Sequence, residues 1–221
     1  YVSEHSKEYA LEYGNMAKQS LAAIIRSIVA LEAEGGDKFF GEPAVSIADW
    51  LRTNSSGKGA IQVLDCQKLI NNPTMYSTFM LWMMAELFET LPEAGDLEQP
   101  KMVFFFDEAH LLFDNASKAL MDKIAQVVKL IRSKGVGIYF ITQNPADIPD
   151  EVLGQLGNKI QHALRAYTPK EQKGAKAAAQ SFRENPEFDT YEVLSQLGIG
   201  EALISVLDEE GIPTVVKQCK I

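Results

Sequence analysis

The chain has 221 residues, of which 46% are hydrophobic and 23% are charged, and its formal net charge is −9. These totals are typical of a globular protein with one generous core. No apolar run approaches the roughly 18 residues that suggest a membrane span. The acidic balance argues against a protein that coats nucleic acid with its whole surface, although a few basic residues could still line a channel.

The cysteines bear on the cellular setting of the protein, and the first residues bear on whether the chain is part of a longer protein. Cys66 and Cys219 are far apart and match no metal-binding spacing, so we expect a reducing, cytoplasmic setting. The chain begins at Tyr1 and carries no secretion signal, so we expect it to be part of a longer protein.

The first part of the chain is predicted to be mainly helical. Apolar residues recur at helical spacing over 8–34, and Gly35 ends the pattern, so residues 1–36 are predicted to form a helical segment. A short strand is predicted over 60–65. A second helix, capped by an asparagine, is predicted from Pro73 to about Leu91, and it is apolar nearly all round.

The second part alternates between strands and helices. Apolar strands are predicted over 102–106, 136–142 and 159–166. Helices are predicted over 117–134, with Gly135 as its C-terminal cap, and from Pro169. Two closing strands are predicted in "EALISVL" and "PTVV", around the "DEEG" turn. This alternation indicates an α/β fold whose parallel sheet is covered on both faces.

Polar side chains follow three of these strands. Asp107 and Glu108 come directly after the first strand, Gln143 follows the second, and Arg165 lies near the end of the third. Because ligands bind at the carboxyl ends of parallel strands, we expect all four residues to lie at one rim of one sheet.

An apolar strand that ends in Asp-Glu is typical of the second nucleotide motif of P-loop NTPases. There the aspartate holds hydrated magnesium, and the glutamate can polarise the attacking water. A bound cation would also explain why a carboxylate ends a buried strand. The alternative is a strand that ends in a solvated acidic turn.

Three segments in chain order carry a family resemblance: "VFFFDEAHLLF", "LIRSKGVGIYFITQNPADIP" and "LGQLGNKIQHALRAYTPKE". Together they resemble the HerA–FtsK class of RecA-like ATPases, and most closely the YjgR-type HerA-like helicases. The resemblance implies a three-layer RecA-like P-loop NTPase core with a mainly parallel sheet, which this chain would carry over 37–221 without its N-terminal side. It also implies a hexameric ring that hydrolyses ATP with Mg²⁺ and pumps or unwinds DNA.

The resemblance implies a role for five residues. Asp107 would be the magnesium-associated carboxylate, Glu108 the catalytic base, and Gln143 the sensor of the γ-phosphate or the attacking water. Arg132 and Arg165 match positions where relatives carry arginines near phosphate, and we favour Arg132 as an arginine finger acting in trans. The alternatives are a cation at a helix C-terminus for Arg132 and a structural ion pair for Arg165.

The phosphate loop G-x-x-x-x-G-K-[ST] is the missing part of this pattern. Gly57-Lys58 is the nearest candidate, but Arg52 stands in place of the first glycine and Gly59 in place of the hydroxyl residue. The stretch also precedes a predicted strand, whereas a phosphate loop follows one. We therefore expect the phosphate loop to lie upstream of Tyr1.

These patterns predict the ATP-hydrolysing core of a HerA-like helicase or DNA translocase, with this chain alone inactive. Two alternatives stay open: a nucleotide-binding or scaffold protein without turnover, and a ring ATPase that acts on a protein. His110 is expected either to pack at a helix start or to link the base to a DNA contact. The lysines that follow Pro169 form either a solvated face or a DNA-facing patch.

Overall fold

A computed structural model describes residues 18–33, 35–36, 41, 46–95, 97–114 and 116–220. The chain divides into two compact units, 1–82 and 83–221. The predicted boundary between residues 36 and 37 stays a prediction. The part of the first predicted helix that precedes residue 18 lies outside the described residues.

The regular elements described in the first unit are helices. Its helices are α1 (Lys18–Ala33), α2 (Ile47–Trp50), α3 (Gln67–Ile70) and the beginning of α4 (Pro73–Thr90). The predicted asparagine cap of α4 is present, because Asn72 Oδ1 accepts a hydrogen bond from the Met75 N–H at 3.1 Å. Although α4 has 18 residues, no helix in the described part of the chain is long and apolar enough to cross a membrane.

The strand predicted over 60–65 is wrong. In the described ranges this stretch pairs with no other strand, and its apolar side chains face solvent, with Ile61 95% and Val63 89% exposed. A strand needs a partner to satisfy its backbone groups, and a short apolar run in the sequence does not supply one.

The second unit contains the alternating elements. In chain order they are β1 (Met102–Phe106), α5 (His110–Phe113), α6 (Lys118–Leu130), a 3₁₀ helix (Ile131–Lys134), β2 (Val136–Phe140), a 3₁₀ turn (Pro145–Asp147), α7 (Asp150–Leu153), β3 (Lys159–His162), α8 (Pro169–Gln180), α9 (Thr190–Gln196), β4 (Glu201–Ser205) and β5 (Lys217–Lys220). The predicted fold class, α/β with a parallel sheet and helices, is confirmed, and the sheets formed by the described residues do not close into a barrel.

Strands β1 and β2 are parallel neighbours. Their register places Met102 opposite Val136 and Phe106 opposite Phe140, so their carboxyl ends lie side by side. The prediction that both faces of the sheet are covered is wrong for one face of this pair. On that face Phe105 is 65% exposed and stacks on Tyr139 with ring centroids 4.9 Å apart.

The third predicted strand does not extend this sheet, which corrects the expected single parallel sheet. Strand β3 pairs antiparallel with β4, and β4 pairs antiparallel with β5. In β3 the residues alternate between half-buried and exposed, and the apolar Ile160 is on the exposed face. The parallel strand β1 alternates in the same way, so the alternation alone does not distinguish the two kinds of pairing.

Helix α6 and its C-terminal cap follow the sequence prediction. Ser117 Oγ accepts a hydrogen bond from the Leu120 N–H at 3.2 Å and begins the helix. The apolar stripe is buried, with Leu120, Ile124 and Val127 each at 0% exposure. Gly135 has φ 75° and ends the 3₁₀ extension, a conformation that glycine adopts without steric cost. These caps fix the point at which β2 begins.

Helix α8 begins with a capping box. Glu171 accepts hydrogen bonds from the backbone N–H groups of Thr168 and Tyr167, and these bonds lower the pKa of its carboxyl. The inner side of α8 packs with α9 and β4 in a core that includes Ala178, Ala179, Phe182, Leu194 and Leu203. Its outer side exposes Lys170, Lys173 and Lys176.

Candidate functional site

The chain turns sharply after β1, and this turn carries two carboxylates. Asp107 is exposed, and its Oδ1 accepts a hydrogen bond from the Glu108 N–H at 3.0 Å. The next amide, Ala109 N–H, donates to the Ile141 carbonyl oxygen at 2.8 Å. The turn is therefore fastened to the chain that leaves β2.

Glu108 has an unusual backbone conformation. Its φ of 48° makes it the one non-glycine residue with positive φ among those described. The left-handed region costs an L-residue about 1–2 kcal/mol. Residues held in such regions cluster at functional sites, because the surrounding structure must compensate for the strain.

Gln143 lies three residues beyond the end of β2 and reaches the same place. Its Nε2 donates a hydrogen bond to Glu108 Oε1 at 2.9 Å, across 35 residues of sequence. The parallel register makes this contact possible, because it sets Phe106 opposite Phe140. The structure thus brings together Asp107, Glu108 and Gln143, while their roles stay predictions.

Asp147 holds the loop that presents Gln143, and sequence reasoning missed it. Its Oδ2 accepts from Thr142 Oγ1 at 2.9 Å, and its Oδ1 accepts from Asn144 Nδ2 at 3.2 Å. Asn144 Oδ1 in turn accepts from the Ala146 N–H at 3.2 Å. The signal was present, because Asn-Pro with an acid three residues after the Asn resembles a helix N-terminus.

The second oxygen of Glu108 faces His110. His110 Nδ1 lies 3.3 Å from Glu108 Oε2. Oε2 is buried, yet it makes no hydrogen bond in the described part of the chain. The two carboxylate oxygens therefore have different neighbours: an amide bonded to one and an imidazole beside the other.

Arg132 lies at the other end of the parallel pair. It is an exposed residue of the 3₁₀ helix that precedes β2, whereas Gln143 follows β2. At about 3.3 Å per residue, a five-residue strand separates its two ends by roughly 13 Å. Within one chain, Arg132 is therefore remote from the rim that holds Glu108.

Arg165 does not join the rim, contrary to the expectation that four polar groups share it. It follows β3, which belongs to the antiparallel sheet. Its guanidinium donates to the carbonyl oxygens of Ser195 and, at 2.9 Å, Leu197. These carbonyls end α9, where a cation complements the helix dipole.

The stretch around Gly57-Lys58 is a tight turn, as its poor match to a phosphate loop predicted. Asn54 Oδ1 accepts from the backbone N–H groups of Ser56 and Lys58, each at 3.0 Å. Thr53 and Gly59 pair across the turn. The amides that would have to cradle a phosphate are thus bonded internally.

Asp107 fits a magnesium ion held mainly by water and phosphate. Among the described residues, no group of three or more His, Cys, Asp or Glu side chains is arranged to hold a metal ion. Magnesium commonly uses one or two carboxylates and completes its shell with waters and substrate phosphates. The exposed Asp107 carboxylate bonds through Oδ1 to a neighbouring amide, and no described group bonds to Oδ2.

Replacing Asp147 with Ala should destabilise the Gln143 loop. Two charge-assisted hydrogen bonds would be lost, so we expect the free energy of unfolding to fall by about 1–3 kcal/mol. Chemical denaturation measures this change. Asp122→Ala, at an exposed position of α6, is the control and should change it by about 0.5 kcal/mol or less. Equal effects of the two substitutions would contradict the role of Asp147.

Known proteins resemble the chain as follows. Residues 1–221 match the family model described as "Helicase HerA-like C-terminal". A protein of Methanocaldococcus jannaschii named a probable helicase is 30% identical over 167 residues, which cover 71% of this chain and 30% of that protein. The DNA double-strand break repair helicase HerA of Sulfolobus acidocaldarius is 30% identical over 112 residues, which cover 50% of this chain and 21% of HerA.

A solved structure is a more distant match. The DNA-packaging ATPase B204 from Sulfolobus Turreted Icosahedral Virus is 17% identical, with a TM-score of 0.47 over 99% of this chain and 93% of its own. That score is too low to bear on function. The chain spans less than a third of the length of the two curated relatives named above. The family match covers every residue, and the chain belongs to the Helicase HerA-like C-terminal family.

Proposed function

We propose that the chain carries the water-activating half of an ATP-hydrolysing site in a HerA-like motor. The observation that supports this most directly is the 2.9 Å hydrogen bond between Gln143 and Glu108, at the edge where two parallel strands end. A carboxylate and an amide at this position are the groups that P-loop NTPases use to activate and orient water. The phosphate loop would come from outside this chain.

Asp107 and Glu108 would have different roles, the first in metal binding and the second in proton transfer. Asp107 would hold Mg²⁺ through water, and the ion when bound would neutralise charge on the phosphates. Glu108 Oε1 would accept a proton from water as the water oxygen forms its bond to the γ-phosphorus. The bond from the γ-phosphorus to the bridging oxygen breaks, and its electron pair leaves with ADP.

Gln143 would link this chemistry to nucleotide binding. Its amide now donates to Glu108 Oε1, the oxygen that has to accept the proton. When a γ-phosphate is present, the amide can donate to it or to the attacking water, which releases Oε1. Hydrolysis would then begin only after the triphosphate is seated.

Arg132 would act on the site of a neighbouring subunit. It lies at the amino end of β2, away from Glu108 in its own chain, so contact with phosphate requires a second copy. A ring, expected to be hexameric, supplies that copy at each boundary. An arginine finger supplied in trans stabilises charge in the transition state.

DNA is the substrate that we propose for this motor. This proposal is supported by the names of relatives, two of which are called DNA double-strand break repair helicases. The exposed lysines of α8 offer a basic surface on an otherwise acidic chain.

Glu108→Gln in the full-length protein should abolish ATP turnover while leaving ATP binding largely intact. The amide keeps the shape of the side chain but cannot accept the proton, so we expect kcat to fall by about 10²–10⁴-fold. A steady-state phosphate-release assay and titration calorimetry with ATP and Mg²⁺ measure the two effects.

One control variant and three possible outcomes separate the alternatives. Lys170→Gln, on the exposed side of α8, should leave turnover without DNA unchanged. Hydrolysis at a near-normal rate in Glu108→Gln would refute the base assignment, and wild-type protein without magnesium-dependent ATP binding would favour a scaffold. Absence of stimulation by duplex DNA at low salt would favour a protein substrate.

Mixing two inactive variants tests the trans role of Arg132. Each site would combine Glu108 from one subunit with Arg132 from the next, so Glu108→Gln and Arg132→Ala subunits can together form some intact sites. We expect ATP turnover to reappear when the two variants are co-assembled. Turnover that stays at the level of the separate variants in verified mixed rings would contradict the trans arrangement.

A further inference from the structure

The carboxylate of Glu108 has a second neighbour that the proposed mechanism does not use. Gln143 Nε2 occupies Oε1 at 2.9 Å, and His110 Nδ1 lies 3.3 Å from Oε2. Oε2 is the one buried side-chain oxygen or nitrogen in the described part of the chain that lacks a hydrogen bond. At 3.3 Å, the imidazole nitrogen is the neighbour that could supply that bond.

The contact depends on the backbone of Glu108. Residues two apart on a helix do not face each other, so an ordinary helix start would separate these side chains. Glu108 instead has φ 48°, and the helical run of α5 begins only at His110. The strained conformation thus coincides with the approach of the imidazole to the carboxylate.

The position of His110 is set by its own helix. Its carbonyl oxygen accepts a hydrogen bond from the Asp114 N–H at 2.8 Å, and Leu112 anchors α5 in the core at 1% exposure. Gln143, by contrast, is an exposed residue on a loop. Of the two neighbours of Glu108, His110 is the one carried by an anchored helix.

We propose that His110 is a positioning residue that holds the Glu108 carboxylate through Oε2. Oε1 is then left to exchange between Gln143 and the attacking water. This inference rests on the proposed function, since it assigns a partner to the proposed base. A carboxylate only accepts hydrogen bonds, so the productive tautomer is the one whose Nδ1 carries a proton.

Such a contact matters most when Gln143 turns towards phosphate. At that moment Glu108 loses the bond to Oε1, and without His110 its carboxylate is free to rotate. A misplacement of about 1 Å in a catalytic group can slow a reaction by as much as 10²-fold. His110 would prevent that misplacement without touching the substrate.

The test compares two substitutions in the full-length protein. His110→Leu removes the donor, and His110→Asn restores an N–H at nearly the position of Nδ1. We expect kcat for ATP to fall about tenfold in His110→Leu with KM changed less than about twofold, and to recover within about threefold of wild type in His110→Asn. His162→Leu, on β3, is the matched control and should leave kcat unchanged.

Two kinetic outcomes would overturn the inference. A wild-type kcat in His110→Leu would show that Glu108 needs no such partner. The thermal unfolding curve of His110→Asn shows whether this variant is folded. If the folded variant is as slow as His110→Leu, the loss of kcat comes from packing at the start of α5. If Glu108→Gln is inactive while both His110 variants are normal, the positioning inference fails and the proposed function stands.

Nuclear magnetic resonance gives a readout that needs no turnover. Long-range proton–nitrogen spectra report which ring nitrogen of His110 carries a proton. We expect a protonated Nδ1 whose resonance moves in Glu108→Gln, while the resonances of His162 stay in place. A bare Nδ1 facing the carboxylate would overturn the inference even if ATP hydrolysis behaves as proposed.

Discussion

The parallel pairing of β1 and β2 is the constraint on which the candidate site depends. Because the two strands run in the same direction and in register, the residues that follow them emerge at one edge. Two backbone hydrogen bonds continue the pairing beyond the strands, from Ile141 N–H to Phe106 O at 2.9 Å and from Ala109 N–H to Ile141 O at 2.8 Å. Glu108 and Gln143 meet because this pairing places them there.

The same edge concentrates the local strain and the polar bonds that offset it. Glu108 has left-handed backbone geometry, and the Glu108 N–H donates a hydrogen bond to Asp107 Oδ1. Asp147 holds Thr142 and Asn144, the residues on either side of Gln143. The site is thus a strained turn that faces a loop held by hydrogen bonds, an arrangement that fixes these polar groups in place.

Much of this arrangement follows from sequence patterns that act locally. The cap at Asn72, the glycine at 135 and the acidic pair after β1 depend on neighbours within a few residues, and each lies where the pattern predicts it. The placement of β3 depends on which distant strand accepts it, and helical or strand periodicity does not encode that choice. The contact of His110 with Glu108 was not predicted, because residues two apart at an ordinary helix start do not face each other.

We propose that the rim formed by Asp107, Glu108 and Gln143 receives the γ-phosphate of ATP and its metal. The most direct measurement is a structure of the full-length protein with a non-hydrolysable ATP analogue and Mg²⁺. We expect the γ-phosphate within hydrogen-bond distance of the Gln143 amide, with a water between the γ-phosphate and Glu108 Oε1. A nucleotide bound at the amino ends of β1 and β2, or anywhere that leaves Glu108 and Gln143 bonded only to each other, would contradict it.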